Sequence, residues 1–225
     1  MGADLMLKDA ISSLKAGRFV VLYDGEKREG EADLVIHGSA ITPETIRTLR
    51  KDAGGLICFA TSKEIMRKMG LEYMAEILRS SDSPLLRRLA ITRTPYGDES
   101  AFSISLNSRG TFTGIPDSDR ALTIMELSKM ISKNNGMNSE LARKFYSPGH
   151  VPLLFARDIR ERQGHTELSV ELCRLAGLPP AVVVCEMLGK GRAASKKMAQ
   201  KYAKENRLAF IEGRTLLKET GLKPR

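Results

Sequence analysis

Apolar residues run along this chain in two rhythms, helical and extended, and the alternation between them predicts the elements. Leu7, Ile11 and Leu14 recur at helical spacing in polar surroundings and predict a helix over residues 5–16 that stops at Gly17. FVVLYD (19–24) reads as a buried strand that delivers Asp24 to its end, and ADLVIHG (32–38) as a second strand. Thr42, Pro43 and Glu44 open a helix in N-cap order, after which Gly54 and Gly55 lead into a third strand, LICFAT (56–61). RSSDSPLLRRLAITRTPYGDES (79–100) has neither rhythm; its proline, serine and charge predict a mobile or partner-facing connection, and whether residues 80–98 close over a ligand is an open question.

AFSISLN (101–107) alternates as a strand should, and SDRALTIMELSKMIS (118–132) sets Ile124, Leu127 and Ile131 in a helical stripe. Asp117 or Ser118 is the expected cap of that helix, and Met125 and Met130 its flanking core contacts. The strand VPLLFAR, a helix from HTELSVELCRLAG, the strand AVVVCEML, a basic helix and a terminal AFIEG strand with a short helix complete the series. No repeat or low-complexity linker interrupts it. The expected fold is therefore α+β: one compact domain over residues 1–225, with a mixed sheet flanked by helices and a strand order left open.

A chain of 225 residues can bury about 70% of its unfolded surface in a single core. Its apolar runs are too short to cross a membrane, and the N-terminal stretch lacks the apolar core of a signal peptide, so the expected location is the cytoplasm. Met6 stands where a myristoylation signal would carry Ser or Thr, which argues against a lipid anchor. Cys58, Cys173 and Cys185 are widely separated and form no CxxC pair, which points away from a disulfide framework or a structural zinc site.

The net charge of +9 is concentrated in GKGRAASKKMAQKYAKENR (189–207), where Met198, Tyr202 and Ala203 share helical spacing and lysines fill the remaining surface. That pattern is a solvated helix face rather than a nucleic-acid code, although a cationic surface also steers anionic small molecules. No GxGxxG or P-loop sits at a strand-to-helix turn, so a nucleotide cofactor is not indicated.

REGEAD (28–33) is the unusual stretch. In an extended strand Glu29, Glu31 and Asp33 would share one face, with Arg28, Gly30 and Ala32 on the other. Such a triplet suits either a solvated sheet edge or a site for a hard cation and proton transfer. Elsewhere, GHTE reads as a helix start whose N–H groups near Thr166 could hold a phosphate with help from Arg162. His150 follows a Pro-Gly turn that would expose it, and Glu186 ends a strand among apolar neighbours, where desolvation would raise its pKa.

Four signatures in order, DGEKREGEAD, TFTGIPDSDRALTI, SPGHVPLL with RQGHTE, and VVVCEML, closely resemble the 3,4-dihydroxy-2-butanone 4-phosphate synthase family, over about residues 14–217. The resemblance implies conversion of ribulose 5-phosphate to a four-carbon ketone phosphate and formate, in riboflavin biosynthesis, by a homodimer with sites near its interface. It makes Glu29 and His165 the ligands of Mg2+ or Mn2+, with two ions per site and no organic cofactor. It gives Arg28, Glu29, Asp33, Cys58, Arg162, Gln163, Gly164, His165, Thr166 and Glu186 to the substrate. His150, Glu186, Glu31 and Asp24 become the catalytic groups, with His150 supplied by the opposite chain.

By the same resemblance the metal chelates adjacent oxygens of the open-chain ketose, an enediol forms, and loss of a hydroxyl, a skeletal shift and hydration expel formate. Gln163 departs from the small residue common in the family, and Pro116 and Asp117 replace its usual Ser-Ala pair, which puts a substrate role for that segment in doubt. No second catalytic domain of the cyclohydrolase kind is read in the sequence. The competing readings are another metal-dependent sugar-phosphate aldolase or isomerase, and a basic RNA-binding module built on the 189–207 helix.

Overall fold

Seven runs of aliphatic and β-branched residues pair into one sheet in the computed structural model, which describes residues 3–90 and 93–223. The strands are β1 (Val20–Tyr23), β2 (Ala32–His37), β3 (Cys58–Ser62), β4 (Phe102–Ser108), β5 (Phe145–Ala156), β6 (Val182–Glu186) and β7 (Ala209–Glu212), in the order β4-β5-β3-β6-β2-β1-β7. β1 runs parallel to β7 and β3 to β5, while the other neighbours are antiparallel, so the sheet is mixed as expected.

Ten α-helices accompany these strands among the described residues: α1 (Ala3–Lys15), α2 (Pro43–Asp52), α3 (Lys63–Met69), α4 (Met74–Arg79), α5 (Pro84–Leu89), α6 (Asp117–Lys133), α7 (Met137–Lys144), α8 (His165–Leu175), α9 (Lys196–Glu205) and α10 (Gly213–Glu219). None is long and apolar enough to cross a membrane.

Strand periodicity divides the core into two layers. Val21, Leu34, Phe59, Val183 and Leu153 face one way and pack with Ile46 and Leu49 of α2, Ile124 and Leu127 of α6 and Ala199 of α9. Val20, Leu22, Val35, Ala60 and Val182 face the other way, under Leu7 and Leu14 of α1, Leu168 and Leu172 of α8 and Leu216 of α10. Both faces are covered, which is why the central strands read as continuous apolar runs rather than as alternating ones.

Register then decides where polar side chains meet. Asp33 lies opposite Glu186 across the β2–β6 ladder, and Cys58 lies opposite Val184 across β3–β6. Cross-strand partners point to the same face. Asp33, Glu186 and Cys58 therefore share the α8 side of the sheet, at the end where α8 begins.

Several expectations need correction. Residues 63–69, 74–79, 84–89 and 137–144 are helical, although no continuous stripe announces them, and the 79–100 connection thus starts at the end of one short helix and contains another. Leu85, Leu86 and Leu89 of α5 are exposed, so that helix lacks the buried face from which periodicity is read. Residues 91 and 92 of this connection, and Met1 and Gly2 of the stretch read for lipidation, lie outside the described residues. Neither Ser118 nor Asp117 caps α6: Pro116 holds the N-cap position without a side-chain bond. Asp119 serves the turn before it, accepting N–H bonds from Phe112, Thr113 and Gly114.

In α9 it is Ala199 and Ala203 that are buried, while Met198 is exposed. β5 starts six residues before the expected Val151, and its register jumps from Leu106 opposite Val151 to Asn107 opposite Tyr146. Residues 147–150 consequently bulge from the ladder and carry His150 out with them.

Phe59 is fully buried at the centre of the larger core layer. Phe59→Ala should cost about 3–5 kcal/mol of unfolding free energy, measured by urea denaturation; a loss below about 1 kcal/mol would show that this layer is not close-packed.

Candidate active site

The acidic motif does not form the extended strand that its alternation suggests. Residues 26–29 are a turn between β1 and β2, Gly30 has a φ of +70°, and regular pairing resumes at Ala32. A left-handed residue at position 30 is cheap only for glycine, and it turns the chain so that residues on either side can face one cavity. The organiser of the turn is Asp24. Its Oδ1 accepts the N–H groups of Gly25 (2.6 Å) and Glu31 (3.0 Å), and its Oδ2 accepts that of Glu29 (3.1 Å) and Arg28 Nη1 (3.0 Å). The Asp24 side chain is fully buried.

Glu29, Glu31, Asp33, Cys58, Arg162, His165, Thr166 and Glu186 line one cavity of about 460 Å3, so eight of the residues singled out in the sequence converge there. Leu56, Phe102, Leu154 and Val184 supply its apolar wall, and Thr94 and Tyr96 reach it from the 93–100 segment. Asp24 does not line this cavity but the cleft beside it, and both its oxygens are taken up by the turn. Arg28 and Gln163 line an adjoining cleft of about 500 Å3, and the Gln163 amide donates to the Lys223 carbonyl. His150 is outside both; it is exposed on its bulge, where Asn107 Nδ2 lies 3.1 Å from its Nδ1.

His165, the first residue of α8, lies between the acidic groups. Its Nε2 is 3.1 Å from the Glu31 carbonyl, to which it donates, and 3.7 Å from Asp33 Oδ1; its Nδ1 is 3.4 Å from Glu29 Oε2. With Nε2–H committed to a carbonyl, Nδ1 is the nitrogen that faces the Glu29 carboxylate, with a proton between them that an incoming cation would replace. That orientation, one ring nitrogen on a backbone carbonyl and the other turned to an acidic group, is the one a metal-ligating histidine adopts. Ligand atoms of Asp24, Glu29 and His165 all lie within 4.8 Å of one another. The donor set, an imidazole nitrogen with carboxylate oxygens, fits a divalent cation of the Mg2+, Mn2+ or Zn2+ kind.

Electrostatics separates the carboxylates. Burial would raise the pKa of Glu29, but contacts from His165 and the Tyr96 hydroxyl and the charge of Arg28 hold it well below the usual range. Glu31 is pushed up to about 7, first by burial and then by the charges of Glu186 and Glu29. Asp33 rises to about 6, mainly through burial, with His165 opposing the shift. Burial alone would lower His165, yet Asp33, Glu29 and Asp24 raise it to about 9, so cation binding there must displace a proton. Neighbouring groups with divergent acidities are what proton-transfer chemistry requires.

Opposite the acids, the start of α8 gathers positive charge. Glu167, whose side chain is fully buried, accepts the N–H of Gly164 (3.1 Å), the N–H of Arg157 (2.8 Å) and Arg162 Nη1, fixing the loop that carries Arg162. A Cβ on Gly164 would sit 2.6 Å from Arg28 Nη2 and 2.7 Å from Arg162 Nη1. The glycine thus lets two guanidinium groups close on the helix start. Arg28 Nη2 and Arg162 Nε make no hydrogen bond among the described residues. Free guanidinium donors at a helix N-terminus suit an anion such as a phosphate.

Tyr96 and Asp98 are the residues that the sequence reading missed. Asp98 Oδ2 lies 3.0 Å from Arg28 Nε and 3.7 Å from Arg162 Nε, and the Tyr96 ring lies 5.1 Å from the Arg28 Cζ. The TPYGD turn signal was legible, but nothing local says what the turn docks against.

Comparison with known proteins agrees with this geometry. The family model described as 3,4-dihydroxy-2-butanone 4-phosphate synthase matches residues 8–219. A relative of that name from Methanothermobacter thermautotrophicus is 42% identical over 219 residues, covering 95% of each chain. Another from Methanosarcina acetivorans is 42% identical, covering 92% of this chain and 88% of its own. A crystal structure of a 3,4-dihydroxy-2-butanone 4-phosphate synthase in complex with two magnesium ions superposes with a TM-score of 0.74 at 29% identity, covering 95% of both chains. One from Candida albicans has a TM-score of 0.74 at 27% identity, with 95% of this chain and 96% of that one covered.

Gly164→Ala should push the two guanidinium groups off the helix start and weaken inorganic phosphate binding about tenfold, read by isothermal titration, with helix content unchanged. Equal phosphate affinity in the variant would show that the arginines do not need this close approach.

Proposed function

The chain belongs to the 3,4-dihydroxy-2-butanone 4-phosphate synthase family, and from that premise we propose that its site converts D-ribulose 5-phosphate to L-3,4-dihydroxy-2-butanone 4-phosphate and formate, for riboflavin biosynthesis. The observation that carries the reading is the His165 ring, with Nε2 held by the Glu31 carbonyl and Nδ1 turned to Glu29, beside a carboxylate pair and two arginines. Glu29 and His165 hold Mg2+ or Mn2+. The solved relative with two magnesium ions supports the choice of metal class, and we extend it to two ions per site. A bound cation supplies Lewis acidity, easing loss of a carbon-bound proton next to a ketone.

The remaining work falls to the chain's own groups. Arg162, Thr166 and Arg28 hold the phosphate at the start of α8, with Gln163 and Gly164 shaping that loop, and Asp33 orients a substrate hydroxyl. Glu31, against Glu186 and close to half-protonated at neutral pH, takes the proton that leaves carbon. Glu186 moves the next one. Cys58 is buried on the cavity floor, and burial pushes its thiol far up, so it packs against substrate as a neutral group. The water lost in dehydration returns before formate leaves, so ribulose 5-phosphate and the two products contain the same atoms and the reaction needs no oxidant, reductant or organic cofactor.

His150 is the piece that a single chain does not bring to the cavity. Its exposure on the β5 bulge supports a homodimer in which each site receives His150 from the opposite chain for proton transfer. The same reading places the enzyme in the cytoplasm. The RNA-binding alternative loses ground because Lys196 of the basic helix is engaged by Glu26 and Glu212.

EDTA should abolish formate release from ribulose 5-phosphate, and Mg2+ or Mn2+ should restore it. Full turnover in buffer shown to be metal-free by elemental analysis would remove the proposed chemistry.

Mixing two inactive variants, Glu29→Gln and His150→Ala, under conditions that exchange subunits should restore activity, because a mixed dimer then contains one site with both residues intact. A mixture that stays inactive although mass spectrometry shows mixed dimers would overturn the shared site.

A further inference from the structure

The 93–100 segment carries a turn with two unusual contacts. Thr94 N–H donates to the Asp98 carbonyl (2.7 Å), Gly97 N–H donates to the Thr94 carbonyl (2.9 Å), and the Thr94 hydroxyl both donates to the Asp98 carbonyl and accepts the Asp98 N–H. Four bonds within five residues make it a small rigid unit. At its tip Tyr96 is 42% exposed, so hydrophobic burial does not explain an aromatic residue there.

What the side chain touches does explain it. Its ring lies over Arg28, 5.1 Å from Cζ, Arg28 Nη1 lies 2.7 Å from Glu29 Oε2, and Tyr96 and Glu29 line the same cavity, where the Tyr96 hydroxyl helps hold the Glu29 carboxyl below its usual range. Tyr96 also lines both the site cavity and the adjoining cleft, which makes it the partition between them.

The two contacts fall on groups with separate tasks. Glu29 Oε2 already faces His165 Nδ1 (3.4 Å) and Arg28 Nη1 (2.7 Å), so a hydroxyl donor limits how far the carboxylate can rotate. The Arg28 guanidinium is gripped in its plane by Asp24, Glu29 and Asp98. An aromatic face against that plane removes its remaining freedom.

We propose that Tyr96 is a positioning residue for the reaction: its hydroxyl orients Glu29 for the divalent cation, and its ring orients Arg28 for the sugar phosphate. This rests on the reading given under the proposed function. A metal ligand held by a neighbouring donor binds its ion more tightly than one that must be ordered on binding. A stacked guanidinium likewise meets a phosphate with less loss of freedom. The ring and hydroxyl are chemically separable, so the two effects can be measured apart.

The test uses the full chain with Tyr96→Phe and Tyr96→Leu; because the side chain is not part of the core, both should melt as the unaltered protein does. Mn2+ binding without substrate, followed by the loss of the free-ion electron paramagnetic resonance signal, should weaken about tenfold in both variants. At saturating metal, the KM for ribulose 5-phosphate should stay within about twofold for Tyr96→Phe and rise about fivefold for Tyr96→Leu. Unaltered Mn2+ affinity in Tyr96→Phe would overturn the role of the hydroxyl, and equal KM values in the two variants would overturn that of the ring. Absence of formate from the unaltered protein would instead strike at the family reaction, while the Mn2+ titration would still decide the hydroxyl.

Discussion

One buried carboxylate holds the site together. Asp24 directly follows β1 and accepts from the N–H groups of Gly25, Glu29 and Glu31 and from the Arg28 guanidinium. Three backbone donors and a cation stabilise a charge that would otherwise be too costly to bury. In return the chain of residues 25–31 is bound around a single point, and the next acids have little choice of direction. Glu29 and Glu31 face the cavity because their own amides are tied to Asp24.

Such a turn concentrates negative charge, and the structure answers with positive charge brought from elsewhere. Arg28 reaches Asp24, Glu29 and Asp98, joining the turn to the 93–100 segment. Arg162 and His165 come from the start of α8, where Glu167 ties the preceding loop to the end of β5. The balance is local, since Glu29 lies beside three cationic or donor groups while Glu31 faces mainly other carboxylates. Acids two residues apart in one turn thereby acquire opposite acidities, as a site that both binds a cation and moves protons requires.

The sheet provides the floor on which this happens. Both its faces are packed by helices, so a cavity can open only where a covering helix begins, and α8 begins over the ends of β2, β3 and β6. Register puts Asp33, Glu186 and Cys58 on that side. The long β5 strand continues past β3 and bulges at residues 147–150, holding His150 at a distance from its own chain's cavity. The same sheet thus builds the floor of the cavity and carries His150 away from it.

By itself the sequence determined the strands, the main helices and the motif residues, because these depend on periodicity, caps and spacing within a few positions. The acidic motif, GHTE, the Pro-Gly turn before His150 and Glu186 at a strand end were all legible in that way. The short helices at 63–69, 74–79, 84–89 and 137–144 were not, since each is too brief for a full stripe and α5 buries none of its side chains. The extended reading of REGEAD also failed, because alternation cannot register that Asp24 gathers the backbone into a turn.

Only the tertiary structure decided which distant groups meet. Asp98 reaches Arg28 across 70 positions, and His165 reaches the Glu31 carbonyl across 134. No local pattern carries that information. It arises when two helical layers close on the sheet and bring the ends of their connecting loops to one edge, where charges must find partners or remain buried without them.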